Sequence, residues 1–199
     1  MPVLCMGQNR VTFDGIQLGL DYNTFKKELK AKGFTTHLER IVEASYGVCK
    51  EGFFVGKVDG NAAAVRVMAS RKTGTVFSVE VNLREFIDGA EAAEEANRLI
   101  SDEMARVPVC ETEDFGMNIA MIDMPGGKNH VTRYICYPVG NLILLFYESR
   151  QKAAEKCSYG EADFGVYENS LKKEYIVHIR YYDIAAGRLA EDESGKNNS

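Results

Sequence analysis

Residues 52–81 restrict the fold of this chain more than any other stretch. Phe53-Phe54-Val55-Gly56-Lys57-Val58 and Asn61-Ala62-Ala63-Ala64-Val65-Arg66-Val67-Met68 are apolar-rich runs separated by Asp59-Gly60. An Asp-Gly pair adopts the positive-φ conformation of a tight hairpin turn at little cost, which most residue pairs do not. Lys72-Thr73-Gly74 offers a second turn before Val76-Phe77-Ser78-Val79-Glu80-Val81. The region reads as a three-stranded antiparallel meander, and such a sheet needs at least one face covered.

The flanks supply the cover. Val11 to Leu18 reads as one strand, followed by a helix over about 22–32 capped by Asp21 or Asn23, with Tyr22, Phe25 and Leu29 on one face and Gly33 at its end. Residues 35–50 read as a short helix or an irregular connection, because Leu38, Ile41 and Val42 have helical spacing. A long helix is expected over 84–107, where Phe86, Ile87, Ala90, Ala93, Leu99, Ile100 and Met104 form an apolar stripe and Pro108 ends it. Strands are expected at 117–124, 131–137, 142–148 and 175–182, with one helical turn at 150–156 and a loop over 158–169. The fold class that follows is α+β: an antiparallel sheet built from two helix-plus-meander units, with the helices packed on one face. One domain spans 11–185, with half-repeats at 11–82 and 84–148 as a possibility. Residues 1–10 form an N-terminal segment and 186–199 a polar, disordered tail.

Composition excludes some functions. The net charge is −5 and the longest runs of basic residues, such as Lys26-Lys27, have two residues. Nucleic-acid binding, which depends on neutralising phosphates, is therefore not expected. No apolar run reaches the length of a transmembrane helix. The opening Met1-Pro2-Val3-Leu4-Cys5-Met6-Gly7 is apolar and runs into polar Gln8-Asn9-Arg10. It has no basic n-region but looks like the last part of a signal peptide. Two readings stay open: an exported product beginning at Gln8, and a short N-terminus on a cytoplasmic protein. Cleavage before Gln8 would leave four of the five cysteines, enough for two disulfides in an oxidising compartment. No C-x-x-C and no His/Cys cluster with zinc spacing occurs, so no metal is expected.

No catalytic motif emerges. His37, His130 and His178 lie far apart; alternation puts His178 on the face of Ile176, Arg180 and Tyr182. Pro125-Gly126-Gly127-Lys128 lacks P-loop spacing, no G-x-S-x-G occurs, and Glu111, Glu113 and Asp114 read as a solvated turn. No catalytic residue and no cofactor is assigned. Tyrosines are more suggestive. Tyr134, Tyr137, Tyr147 and Tyr182, with Arg133 and Arg180, fall on or beside the late strands. Tyrosine and arginine combine large area with a polar tip and are enriched at interfaces. If several share an open sheet face, that face binds a partner protein or glycan. Ordinary strand composition explains the same tyrosines without a partner.

Val11-Thr12-Phe13-Asp14-Gly15-Ile16-Gln17-Leu18-Gly19, Leu29-Lys30-Ala31-Lys32-Gly33-Phe34 and Gly52-Phe53-Phe54-Val55-Gly56 together resemble a group of small uncharacterised bacterial proteins with an F-x-G-I-x-L-G opening and a helix ending in L-x-x-x-G-F. The resemblance covers residues 11 to 82. It implies export, which tips the localisation toward the periplasm or another exported site, and it carries no catalytic residues. The order of elements is also faintly similar to β-lactamase-inhibitor-type folds, which bind proteins through a sheet; that is analogy of fold alone. The expected function is a non-enzymatic binding module of the cell envelope that uses an open sheet face. The alternatives are a small hydrolase or transferase with a site not visible as a motif, and a structural or assembly subunit.

Overall fold

The computed structural model describes residues 11–44, 47–106, 111–114, 129–137, 160–169, 172 and 174–193. The opening segment forms a small hairpin where one strand is expected from the sequence. Strands β1 (Thr12–Phe13) and β2 (Ile16–Gln17) pair antiparallel, because Asp14 (φ 47°) and Gly15 (φ 74°) both take positive φ and reverse the chain. Helix α1 (Tyr22–Ala31) follows. The Asp21 carboxylate accepts from the backbone N–H of Asn23 at 3.0 Å and Thr24 at 3.3 Å, filling two of its orphan donors. At its end Gly33 takes φ 90°, and the Phe34 N–H returns to the Leu29 carbonyl at 3.1 Å.

Four strands come next: β3 (Thr35–Ala44), β4 (Gly47–Val58), β5 (Asn61–Ser70) and β6 (Val76–Phe86). Residues 35–44 are thus a strand rather than a short helix or irregular connection. Thr35, Thr36, Ile41 and Val42 are β-branched, and pairing along nearly the whole of β4 overrides the helical spacing. Helix α2 (Gly89–Arg106) starts later than the apolar stripe suggests. Residues 84–86 still belong to β6, and Asp88 supplies the cap, accepting from the Ala90 N–H at 2.9 Å. The second set of strands is β7 (Glu111–Asp114), β8 (Asn129–Tyr137), β9 (Gly160–Asn169) and β10 (Glu174–Asp183). Residues 160–169 are therefore a strand where a loop is expected: Phe164 and Val166 alternate into the core, and β8 and β10 pair on either side. Residues 184–193 form helix α3 (Ile184–Glu193) instead of a disordered tail. The expected strands at 117–124 and 142–148 and the helical turn at 150–156 lie outside the described residues.

The described strands β3 to β10 form an eight-stranded sheet in the order β3, β4, β5, β6, β10, β9, β8, β7, antiparallel throughout. Each unit is a helix followed by a four-stranded meander, and the last strands of the two units pair at the centre. Topologically equivalent strands that are adjacent and antiparallel are related by a two-fold axis normal to the sheet. The second unit therefore closes at Asp183, well beyond residue 148.

Helices α1 and α2 and the β1–β2 hairpin cover one face. Phe13, Phe25, Leu29, Phe34, Phe54, Val65, Val79, Val81, Leu83, Val177 and Ile179 belong to the core beneath them. Close approach is possible because β4 carries two glycines on that face. A Cβ on Gly52 would lie 1.9 Å from the Tyr22 hydroxyl, and one on Gly56 would lie 2.5 Å from the Phe34 ring. Helix α3 packs on the opposite face, at one end, through Ala186 and Ala190 against Cys49, Met68 and Phe77. Gly52→Ala is expected to lower unfolding stability by about 2 kcal/mol, the usual scale of overpacking. Adding Tyr22→Phe, which removes the clashing hydroxyl, should restore part of the loss; urea unfolding of the two singles and the double mutant measures this coupling.

Candidate functional site

The face opposite α1 and α2 is organised by register. One row of directly opposed residues crosses the whole sheet: Leu38, Phe53, Arg66, Glu80, Arg180, Asp163, Tyr134 and Glu113. The next row on the same face, two residues along each strand, is Arg40, Glu51, Met68, Ser78, Tyr182, Glu161, Cys136 and Glu111. On the other side of the first lies Val55, Ala64, Asn82, His178, Gly165 and Thr132. Between the first two rows, the helix-covered face holds Val67, Val79 and Tyr181, all buried. Alternation with period two thus separates an apolar face from one studded with charge.

The centre of the charged face is an ion network. The buried Glu51 carboxylate accepts from Arg40 Nε and Arg66 Nε, each at 2.5 Å, and Arg66 Nη1 donates to Glu80 at 3.0 Å. Burial pushes the Glu51 carboxyl up. The two guanidinium groups outweigh it and hold the group below the ordinary glutamate range. Burial likewise disfavours the charged Arg66, but Glu80 and Glu51 more than offset this and its pKa is raised. Arg40 also lies over the Phe53 ring, 5.5 Å from its centroid. His178 Nδ1 and Asn82 Oδ1 are 2.8 Å apart on the neighbouring row.

A second cluster sits at the free edge on the helix-covered side. Glu39 is bonded to Lys26 and lies 3.8 Å from Lys50, while Lys50 Nζ stands 4.0 Å above the Tyr22 ring. The hydrogen bond from Lys26 holds the Glu39 carboxyl low, and burial, reinforced by Glu39, pushes the Tyr22 phenol up. These contacts fasten α1 to β3 and β4.

The residues expected from the sequence to form a binding face divide. Tyr134, Arg180 and Tyr182 fall in the two charged rows. Tyr182 packs beneath α3, its ring edge-on to Phe77 with centroids 6.0 Å apart, and Gly187 makes room for its hydroxyl. Arg133 is in register with Phe164, and Tyr137 with Gly160, in rows of the helix-covered face. Tyr147 lies outside the described residues. Glu111, Glu113 and Asp114 belong to strand β7, not a turn. The Cys49 thiol is buried, 3.7 Å from the Gly47 carbonyl. Among the described residues no three His, Cys, Asp or Glu side chains come together to hold a metal ion, and no helix is long and apolar enough to cross a membrane.

Sequence reasoning missed Arg40, Glu51, Arg66 and Glu80, although a signal existed. A two-residue turn at Asp59-Gly60 sets Phe53 opposite Arg66 and Glu51 opposite Met68. Glu51 and Arg66 are then diagonal neighbours on one face, and Arg66 is a lone charge within an apolar run.

Comparison of the chain with family models, curated proteins and solved structures gives no match.

Glu51→Gln keeps the shape but removes the charge that both arginines serve. It should cost about 3 kcal/mol, the scale of breaking a buried ion pair from one side. The folded-state pKa of Glu51 lies below its unfolded value, so the network contributes fully above the ordinary value of 4.5 and loses that contribution as pH falls through the folded-state value. Stability of the wild type should therefore fall on acidification below that point, and the Gln variant should show a shallower fall; chemical unfolding across pH 3–6 compares them.

Proposed function

We propose that this chain is a non-enzymatic binding module that docks another protein on the sheet face opposite α1 and α2. The observation that carries the reading is the coexistence, on one face, of exposed apolar area with a held charge network. Leu38 is 44% and Val55 45% exposed, and half-buried Phe53 stands opposite Leu38 and two residues before Val55 on β4, with Arg40 above it. Beside them run Arg66 and Glu80, both anchored, and Arg180. Fixed charges around an apolar patch suit a protein surface, since the patch supplies area and the charges supply register. The packing beneath α1 and α2 leaves the opposite surface as the place for a partner. A location in the cell envelope belongs to the same proposal and is supported by the resemblance of the opening segments to exported proteins.

A photo-crosslinking amino acid at Val55 should trap a protein in native cells. The same group at Glu28, exposed on α1, should not. Equal yields at both positions, or none at Val55, would overturn the docking face. Arg66→Glu with Arg180→Glu should lower the Val55 yield about tenfold; circular dichroism checks that the double variant is folded.

A further inference from the structure

We draw no further inference here: the strongest candidate, the apolar patch of Leu38, Phe53 and Val55 on the sheet face opposite α1 and α2, belongs to the docking face already proposed, and nothing in the structure shows what covers it.

Discussion

The pairing of β6 with β10 is the contact on which everything else depends. It runs from Tyr182 opposite Ser78 to Tyr175 opposite Phe86 and joins segments about a hundred residues apart in sequence. Without it there are two separate sets of four strands, each with its last strand open along one edge. With it the two become one sheet, and the core beneath α1 and the hairpin runs continuously into the core beneath α2, from Phe25 through Val79 and Val81 to Val177 and Ile179. Phe13 shows the join directly. Its ring stands 6.1 Å from Phe34 in the first unit and 5.9 Å from Tyr181 in the second. Such a long-range pairing closes a large loop, an entropic cost that the contacts across β6 and β10 offset.

The same pairing builds the charged face. Glu80 on β6 stands between Arg66 and Arg180, and only the β6–β10 register puts the second arginine there. The row that crosses the sheet is thus partly local, from the β4–β5 hairpin, and partly a product of the central join. Its local part is anchored hard. Glu51 is buried between two partly exposed guanidinium groups, and desolvation of its carboxylate offsets much of what the ion pairs contribute. What it adds is position: Arg40 and Arg66 are held at fixed points around Phe53 instead of sweeping through solvent.

Local chemistry was legible in the sequence wherever a turn or cap decides the conformation. Asp59-Gly60, the Asp21 cap and Gly33 each act within a few residues, so the hairpin and α1 could be read directly. Residues 35–44 and 160–169 could not, since both are strands only because neighbours pair with them. Leu38, Ile41 and Val42 carry a helical period, and 160–169 intersperses glycine and acids among its apolar residues; tertiary hydrogen bonding decides both. The polar end of the chain misled for a related reason. Gly187 and the acids after Ala190 conceal a helix in the sequence, yet small residues let α3 lie close to the sheet, and Asp183 caps it by accepting from the Ala186 N–H at 2.9 Å. For the candidate site, the tyrosines drew attention by number, while the charges that organise the face are single residues whose meaning appears only once register is known.

The free edge explains why the exposed apolar residues lie where they do. Leu38, Ile41, Val48 and Val55 are all on β3 or β4. An edge strand of ten residues with apolar side chains invites pairing with any extended chain. Here the edge is guarded by charge on both faces: Glu39, tied to Lys26 and Lys50, on one side and Arg40, tied to Glu51, on the other. In an antiparallel self-pairing, opposed residues share a face. Registers centred on residue 39 or 40 therefore set Glu39 against Glu39 or Arg40 against Arg40, and one centred on residue 41 sets Glu39 against Glu43. Strand addition between copies is disfavoured in the registers that would bury most of the edge. Leu38 and Val55 are left exposed on the face opposite α1 and α2, where cover can come only from above the sheet.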